Sequence, residues 1–173
     1  MKRENPLFYW DSCIFLAWLK NEERKPGEMT GIKELVSQIN KNAARLVTSQ
    51  MTRAEILKST LTVDAINKLD NVFKRKNIIL APTDGRVWQL AYEIRDYYQA
   101  RKDADGLPTV TLPDAVHLAT AILYQADVFF TFDETDKPNR RRALIPLSGN
   151  VAGKYNLIIQ KPMGLQTDIF NSI

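Results

Sequence analysis

The stretch Asp114-Ala115-Val116-His117-Leu118-Ala119-Thr120-Ala121-Ile122-Leu123-Tyr124-Gln125-Ala126-Asp127-Val128-Phe129-Phe130-Thr131 holds a helix and a strand with almost nothing between them. Ala115, Leu118, Ala119, Ile122 and Leu123 recur at i, i+3, i+4, i+7 and i+8, which predicts a helix over Asp114–Tyr124 with one apolar stripe. Asp127–Thr131 follows as a strand. Its apolar residues run on without polar alternation, the pattern of a strand covered on both faces.

The same pairing of helix with short apolar strand extends in both directions. Leu7–Trp10 reads as a buried strand ending at Asp11, and Ser12 is placed to cap a helix over Cys13–Lys20. Asn21–Glu28 is charged and holds Pro26-Gly27, so it is a loop. Thr30–Asn42 carries Ile32, Leu35, Val36 and Ile39 at helical spacing. Strands over Leu46–Ser49 and Ile78–Leu80 bracket helices over Met51–Ser59 and Val63–Lys74. Asp84–Arg101 is the longest expected helix, and Leu157–Gln160 is the last strand. Strands without alternation, interleaved with helices, predict an α/β fold: a three-layer α/β/α sandwich with a mainly parallel central sheet. At 173 residues the chain reads as a single domain over 1–173, with a basic loop and a C-terminal extension after about residue 134.

Composition narrows the function classes. With 45% hydrophobic and 25% charged residues the chain is neither disordered nor fibrous. Its longest apolar run, Cys13–Leu19, is too short to span a bilayer, so no membrane role is expected. The polar start Met1–Pro6 does not look secretory, and a lone cysteine fits a reducing compartment, which together point to the cytoplasm. One Cys and one His exclude a Cys/His zinc site. The net charge of +4 is uneven: Lys137–Ile173 carries +5 and the remainder −1. A basic segment on a near-neutral body fits an anionic partner, nucleic acid first. A merely solvated surface fits the charge equally well.

Open parallel sheets place their functional groups beyond the carboxyl ends of the strands. Asp11 directly follows the first strand and Asp133 lies just past the fourth. Glu55 is one turn into the helix after the second strand, and Asp114 opens the helix before the fourth. Four carboxylates converging on one rim repel each other unless a cation neutralises them. Oxygen-only ligands select Mg²⁺ or Mn²⁺, which would activate water and steady a phosphoryl transition state. Each acid also has a structural reading. Asp11 fits a helix cap, Asp133 a turn, and Thr52-x-x-Glu55 and Thr111-x-x-Asp114 loosely match capping boxes. His117 and Cys13 read as structural residues, and no Gly-rich phosphate loop is present.

The segments Phe8-Tyr9-Trp10-Asp11-Ser12, Thr48-Ser49-x-x-Thr52-x-x-Glu55, Pro113-Asp114-Ala115-Val116-His117-Leu118-Ala119-Thr120-Ala121 and Thr131-Phe132-Asp133 resemble the PIN-domain family, in an order similar to VapC-type toxins. The resemblance implies a Rossmann-like sandwich and a Mg²⁺/Mn²⁺-dependent ribonuclease. It also implies that Asp11, Glu55, Asp114 and Asp133 form the acidic quartet, with Ser12 and Thr131 as polar supports. Glu134 and Asp136 crowd the last motif and compete with Asp133 for the metal-facing place.

The expected function is therefore a metal-dependent endoribonuclease, the toxin of a toxin–antitoxin pair. Arg140, Arg141 and Arg142 would hold the RNA backbone, and an antitoxin and a second copy in a homodimer are the expected protein partners. The alternative is a non-catalytic PIN-like module that binds RNA or protein.

Overall fold

Along the first strand, β1 (Leu7–Trp10), Leu7 and Tyr9 enter one apolar core while Phe8 and Trp10 enter another. Successive side chains of a strand face opposite ways, so a strand buried throughout must have helices on both sides. The computed structural model describes residues 5–137 and 141–164. It contains α1 (Ser12–Lys20), α2 (Glu28–Asn40), β2 (Arg45–Ser49), α3 (Gln50–Leu57), α4 (Val63–Phe73), β3 (Ile78–Ala81), α5 (Gly85–Asp105), α6 (Leu112–Leu123), β4 (Val128–Phe130) and β5 (Ile158–Gln160).

The sheet order is β3-β2-β1-β4-β5, and every neighbouring pair is parallel. The expected three-layer α/β sandwich is present, with a described sheet that is wholly rather than mainly parallel. Residues of α1, α2 and α4 pack with Phe8, Trp10, Leu46 and Phe130 on one face. Residues of α5 and α6 pack with Tyr9, Val47 and Phe129 on the other. Leu144, Leu147, Val151, Leu157 and Ile159 belong to this second core. The segment after residue 134, expected as an extension, thus completes the sheet and its core. Among the described residues no helix is long and apolar enough to cross a membrane.

Chain order along the sheet reverses between β1 and β4. From β1 the chain steps outward through β2 to β3, then returns to the other side of β1. The connections diverge there and leave a crevice at the carboxyl ends of the two strands, where α/β folds bind ligands. Asp11 and Thr131 are the residues that immediately follow β1 and β4.

Most element bounds shift by one to a few residues from the sequence expectation, and two of the shifts have a clear physical reason. Helix α1 starts at Ser12 and its cap is Asp11, whose carboxylate accepts from the Cys13 and Ile14 amides; Ser12 is the first helical residue instead of the cap. Helix α5 continues a turn past Arg101 and stops at Gly106, whose φ of 67° lies in the left-handed region where glycine carries no penalty.

Candidate active site

Asp11 combines the two roles between which its position alone could not choose. Its Oδ1 accepts from the Cys13 amide at 3.0 Å and from Cys13 Sγ at 2.7 Å, while Oδ2 accepts from the Thr131 hydroxyl at 2.6 Å. It caps α1 and, in the same pose, lines a cleft of about 480 Å³. Thr131 is buried and also accepts from the Asp133 amide at 3.1 Å, so one hydroxyl ties the ends of β1 and β4 together.

Asp114 sits in the first turn of α6 behind its cap, Thr111. The Thr111 hydroxyl donates to Asp114 Oδ2 at 2.6 Å and accepts from the Asp114 amide at 3.3 Å, so the N-cap half of the loose capping box forms and the Asp114 carboxylate meets the hydroxyl. A helix N-terminus favours an anion. Burial nevertheless pushes the Asp114 carboxyl above its usual range, against the Thr111 bond and the charges of His117 and Arg141.

Glu55 projects from α3, whose cap is Ser49. The Thr52-x-x-Glu55 spacing is therefore no capping box: the Thr52 hydroxyl is buried and accepts from Thr48 at 2.7 Å. Glu55 Oε2 lies 2.9 Å from His117 Nε2. Burial raises the Glu55 pKa, but the His117 bond and charge and the Ser12 hydroxyl outweigh it, and the net shift is downward. His117 is buried, and its Nδ1 lies 2.8 Å from the Tyr9 hydroxyl. Burial alone would depress this imidazole, but Glu55, Asp11 and Asp114 together raise it.

Asp133 is only 9% exposed, and its Oδ2 is buried without a hydrogen-bond partner. Burial pushes its pKa up to about 6; Arg141 opposes the shift, and the charges of Asp114 and Asp11 reinforce it. The rival acids are engaged by other partners, although Glu134 also lines the cleft. Glu134 is exposed and paired with Lys25 and Lys161, and Asp136 Oδ1 accepts from the Ala143 amide at 2.7 Å. Asp133 is thus the member of its motif that shares a field with Asp11 and Asp114.

The arginine triplet does not act as one unit. Arg140 lies outside the described residues. Arg141 turns inward, with Nη2 2.5 Å from Asp133 Oδ1 and Nη1 3.9 Å from Asp114 Oδ2. Arg142 is buried: it donates to the Pro108 carbonyl at 2.9 Å and to Asp105 at 2.7 Å, and its guanidinium lies over Tyr98. The RNA-holding role expected of Arg142 is corrected, because its donors are spent on the fold away from the cleft. Two cleft-lining residues are not among the expected site residues, and from the sequence His117 reads as structural. His117 stands one turn after Asp114, and that spacing was a usable signal. Arg24, which lines the cleft with its guanidinium 3.8 Å from the Phe132 ring centre, comes from a charged loop without periodicity and gave none.

An all-oxygen donor set with one orphaned buried carboxylate oxygen has the chemistry of a hard divalent-cation site. The placement is less complete. Among the described residues no three His, Cys, Asp or Glu side chains are grouped to hold one ion. The Arg141 guanidinium touches both Asp133 and Asp114.

The PIN domain family model matches residues 8–137, a span that includes all four acids. The chain belongs to the PIN domain family. Solved structures agree at the level of fold. The chain is similar to VapBC2 from Rickettsia felis, bound to a promoter DNA fragment, with a TM-score of 0.56 and 14% identity over 89% of this chain and 97% of that one. It is similar to a toxin–antitoxin complex from Klebsiella pneumoniae, with a TM-score of 0.52 and 16% identity over 93% and 100%. Mycobacterium tuberculosis VapC20, a toxin that cleaves the sarcin–ricin loop, gives 0.53 and 13% over 73% and 89%. No curated protein matches the chain in sequence.

Proposed function

We propose that this PIN-domain protein is a divalent-metal-dependent endoribonuclease and the toxin of a toxin–antitoxin pair. The observation that carries the reading is the convergence of Asp11, Glu55, Asp114 and Asp133 on one cleft at the switch between β1 and β4, with Asp133 Oδ2 left unpaired. The toxin–antitoxin assemblies among its structural relatives support the biological setting and an antitoxin partner. The chain reads as one cytoplasmic domain over 1–173 that is able to form a homodimer.

Asp11, Asp114 and Asp133 would hold Mg²⁺ or Mn²⁺, and Glu55 would ligate it or orient the attacking water. When bound, the ion supplies a more acidic water and neutralises charge on the phosphoryl oxygens. The remaining work falls to the chain itself. Thr131 and the α1 amides fix Asp11, and Thr111 fixes Asp114. His117, anchored on Tyr9, holds the Glu55 carboxylate in its ionised form at the cleft wall. Arg24 and Lys137 line the same cleft and present positive charge to the RNA backbone without reading its sequence.

Cleavage of total RNA by the purified chain tests this, with Mg²⁺, Mn²⁺ or chelator, alongside Asp114→Asn. The proposal expects cleavage that needs the metal and is lost in the variant. RNA binding without cleavage under every condition would instead establish the non-catalytic module.

A further inference from the structure

We infer that Arg141 is the resident cation of the acidic cleft: its guanidinium, seated on Asp133 and Asp114, occupies the place a divalent ion must take, and metal binding requires it to leave. The inference rests on the metal site proposed above and adds to it a competitor built into the same chain.

Three observations carry it. The first is charge balance. Asp11, Asp114 and Asp133 share one cleft, while His117 is committed to Glu55. Among the described residues Arg141 is the only Lys or Arg in ion-pair contact with any of these three acids. Clustered carboxylates in a partly dry crevice demand a counter-charge, and here the chain supplies one.

The second is delivery. The Lys137 and Arg141 backbones exchange hydrogen bonds of 2.9 and 3.0 Å across a short antiparallel bridge. The chain that follows Arg141 is pinned. The Ala143 amide is held by Asp136, and the Leu144 and Ile145 amides both donate to the Asp133 carbonyl, at 3.2 and 3.0 Å. Arg142, turned the other way, is locked on Pro108 and Asp105. A backbone fixed at the bridge and in the residues that follow aims the Arg141 side chain at the acids.

The third is looseness. Arginine binds carboxylate best through two parallel bonds to one partner. Here each acid receives one nitrogen, one contact is 3.9 Å long, and both Arg141 Nε and Asp133 Oδ2 remain buried without partners. The Arg141 side chain is 30% exposed, so a path to solvent is open. An occupant held this way is displaceable by a small doubly charged ion that satisfies the orphaned oxygen. The same seating accounts for the acids' not being grouped around a common point.

The test is Mn²⁺ affinity of the full chain, read by calorimetry and by the loss of free-ion paramagnetic resonance signal, for the wild type, Arg141→Gln, Arg141→Lys and Asp114→Asn. Removing the competitor should tighten binding roughly tenfold or more, a change readily resolved as affinity. Lysine keeps a cation at the position and should stay near the wild-type value. Circular dichroism checks folding. Should Arg141→Gln not fold, the nitrogen-15 signal of Arg141 Nε in the wild type decides: Mg²⁺ should shift it, and an unmoved signal at saturating Mg²⁺ overturns the inference. Unchanged or weaker Mn²⁺ binding in folded Arg141→Gln also overturns it. If Asp114→Asn abolishes binding while Arg141→Gln matches wild type, the acidic site stands and the competitor falls. If neither the wild type nor Arg141→Gln binds Mn²⁺, the metal-site reading fails and takes the inference with it.

Discussion

Replacing Asp133 with Asn should stabilise the metal-free protein at neutral and alkaline pH and leave it unchanged in acid. Folding buries this carboxylate beside Asp114 and Asp11 and lifts its pKa from 3.8 to about 6, even with Arg141 in contact. A group whose pKa rises on folding favours the folded state while it is protonated. That contribution is complete below about pH 4 and is lost as pH rises through about 6. At about 1.4 kcal/mol per unit, the shift sets a ceiling of roughly 3 kcal/mol. The cleft is open to water, so about half of that, roughly 1–2 kcal/mol, is the realistic gain. For a chain of this size it corresponds to a melting temperature higher by roughly 3–6 °C. Asn keeps the shape and removes the charge. Thermal melts in chelator at about pH 4 and about pH 8 give the answer. The reasoning is refuted if Asp133→Asn melts at or below the wild type at the higher pH, or if the gain is equal at both.

Three further outcomes follow from the packing around the cleft. His117→Ala should cost about 2–4 kcal/mol in urea unfolding, because it opens a cavity and removes the imidazole that bridges the buried Tyr9 hydroxyl and Glu55. Arg142→Met should lower stability by about 1–3 kcal/mol through the unpaired Pro108 carbonyl, while RNA affinity at fixed salt stays the same. Replacing Arg24 and Lys137 together with Gln should reduce the slope of log affinity for RNA against log salt by roughly 1–2, with no change in metal affinity; an unchanged slope would place the RNA elsewhere.

The layers were legible because strands covered on both sides cannot alternate, and Leu7–Trp10 and Val128–Phe130 carry that signature without ambiguity. The convergence of the four acids was legible for a related reason: a parallel sheet gathers every carboxyl end on one rim. Local chemistry was less so. Asp11 and Ser12 are both good caps, and which one acts depends on whether the strand releases the chain at Trp10 or a residue later. Thr52 lies three residues before Glu55 as a capping residue would, but its hydroxyl goes to Thr48 on β2, a partner no local pattern announces. Arg141 and Arg142 show the limit most clearly. Neighbouring residues in extended backbone face opposite sides, so identical adjacent side chains end in an acidic cleft and in a structural pair against α5. Charge alone made them one patch; the antiparallel bridge at Lys137 and Arg141 separates them.

Anomalous scattering from a crystal soaked in Mn²⁺ tests the central claim most directly, because it locates the ion without reference to activity. The account predicts one or two Mn²⁺ peaks within ligand distance of Asp11, Asp114 and Asp133, with Asp133 Oδ2 now engaged. A fully soaked crystal with no peak in this cleft, or with Mn²⁺ bound only elsewhere, would contradict it.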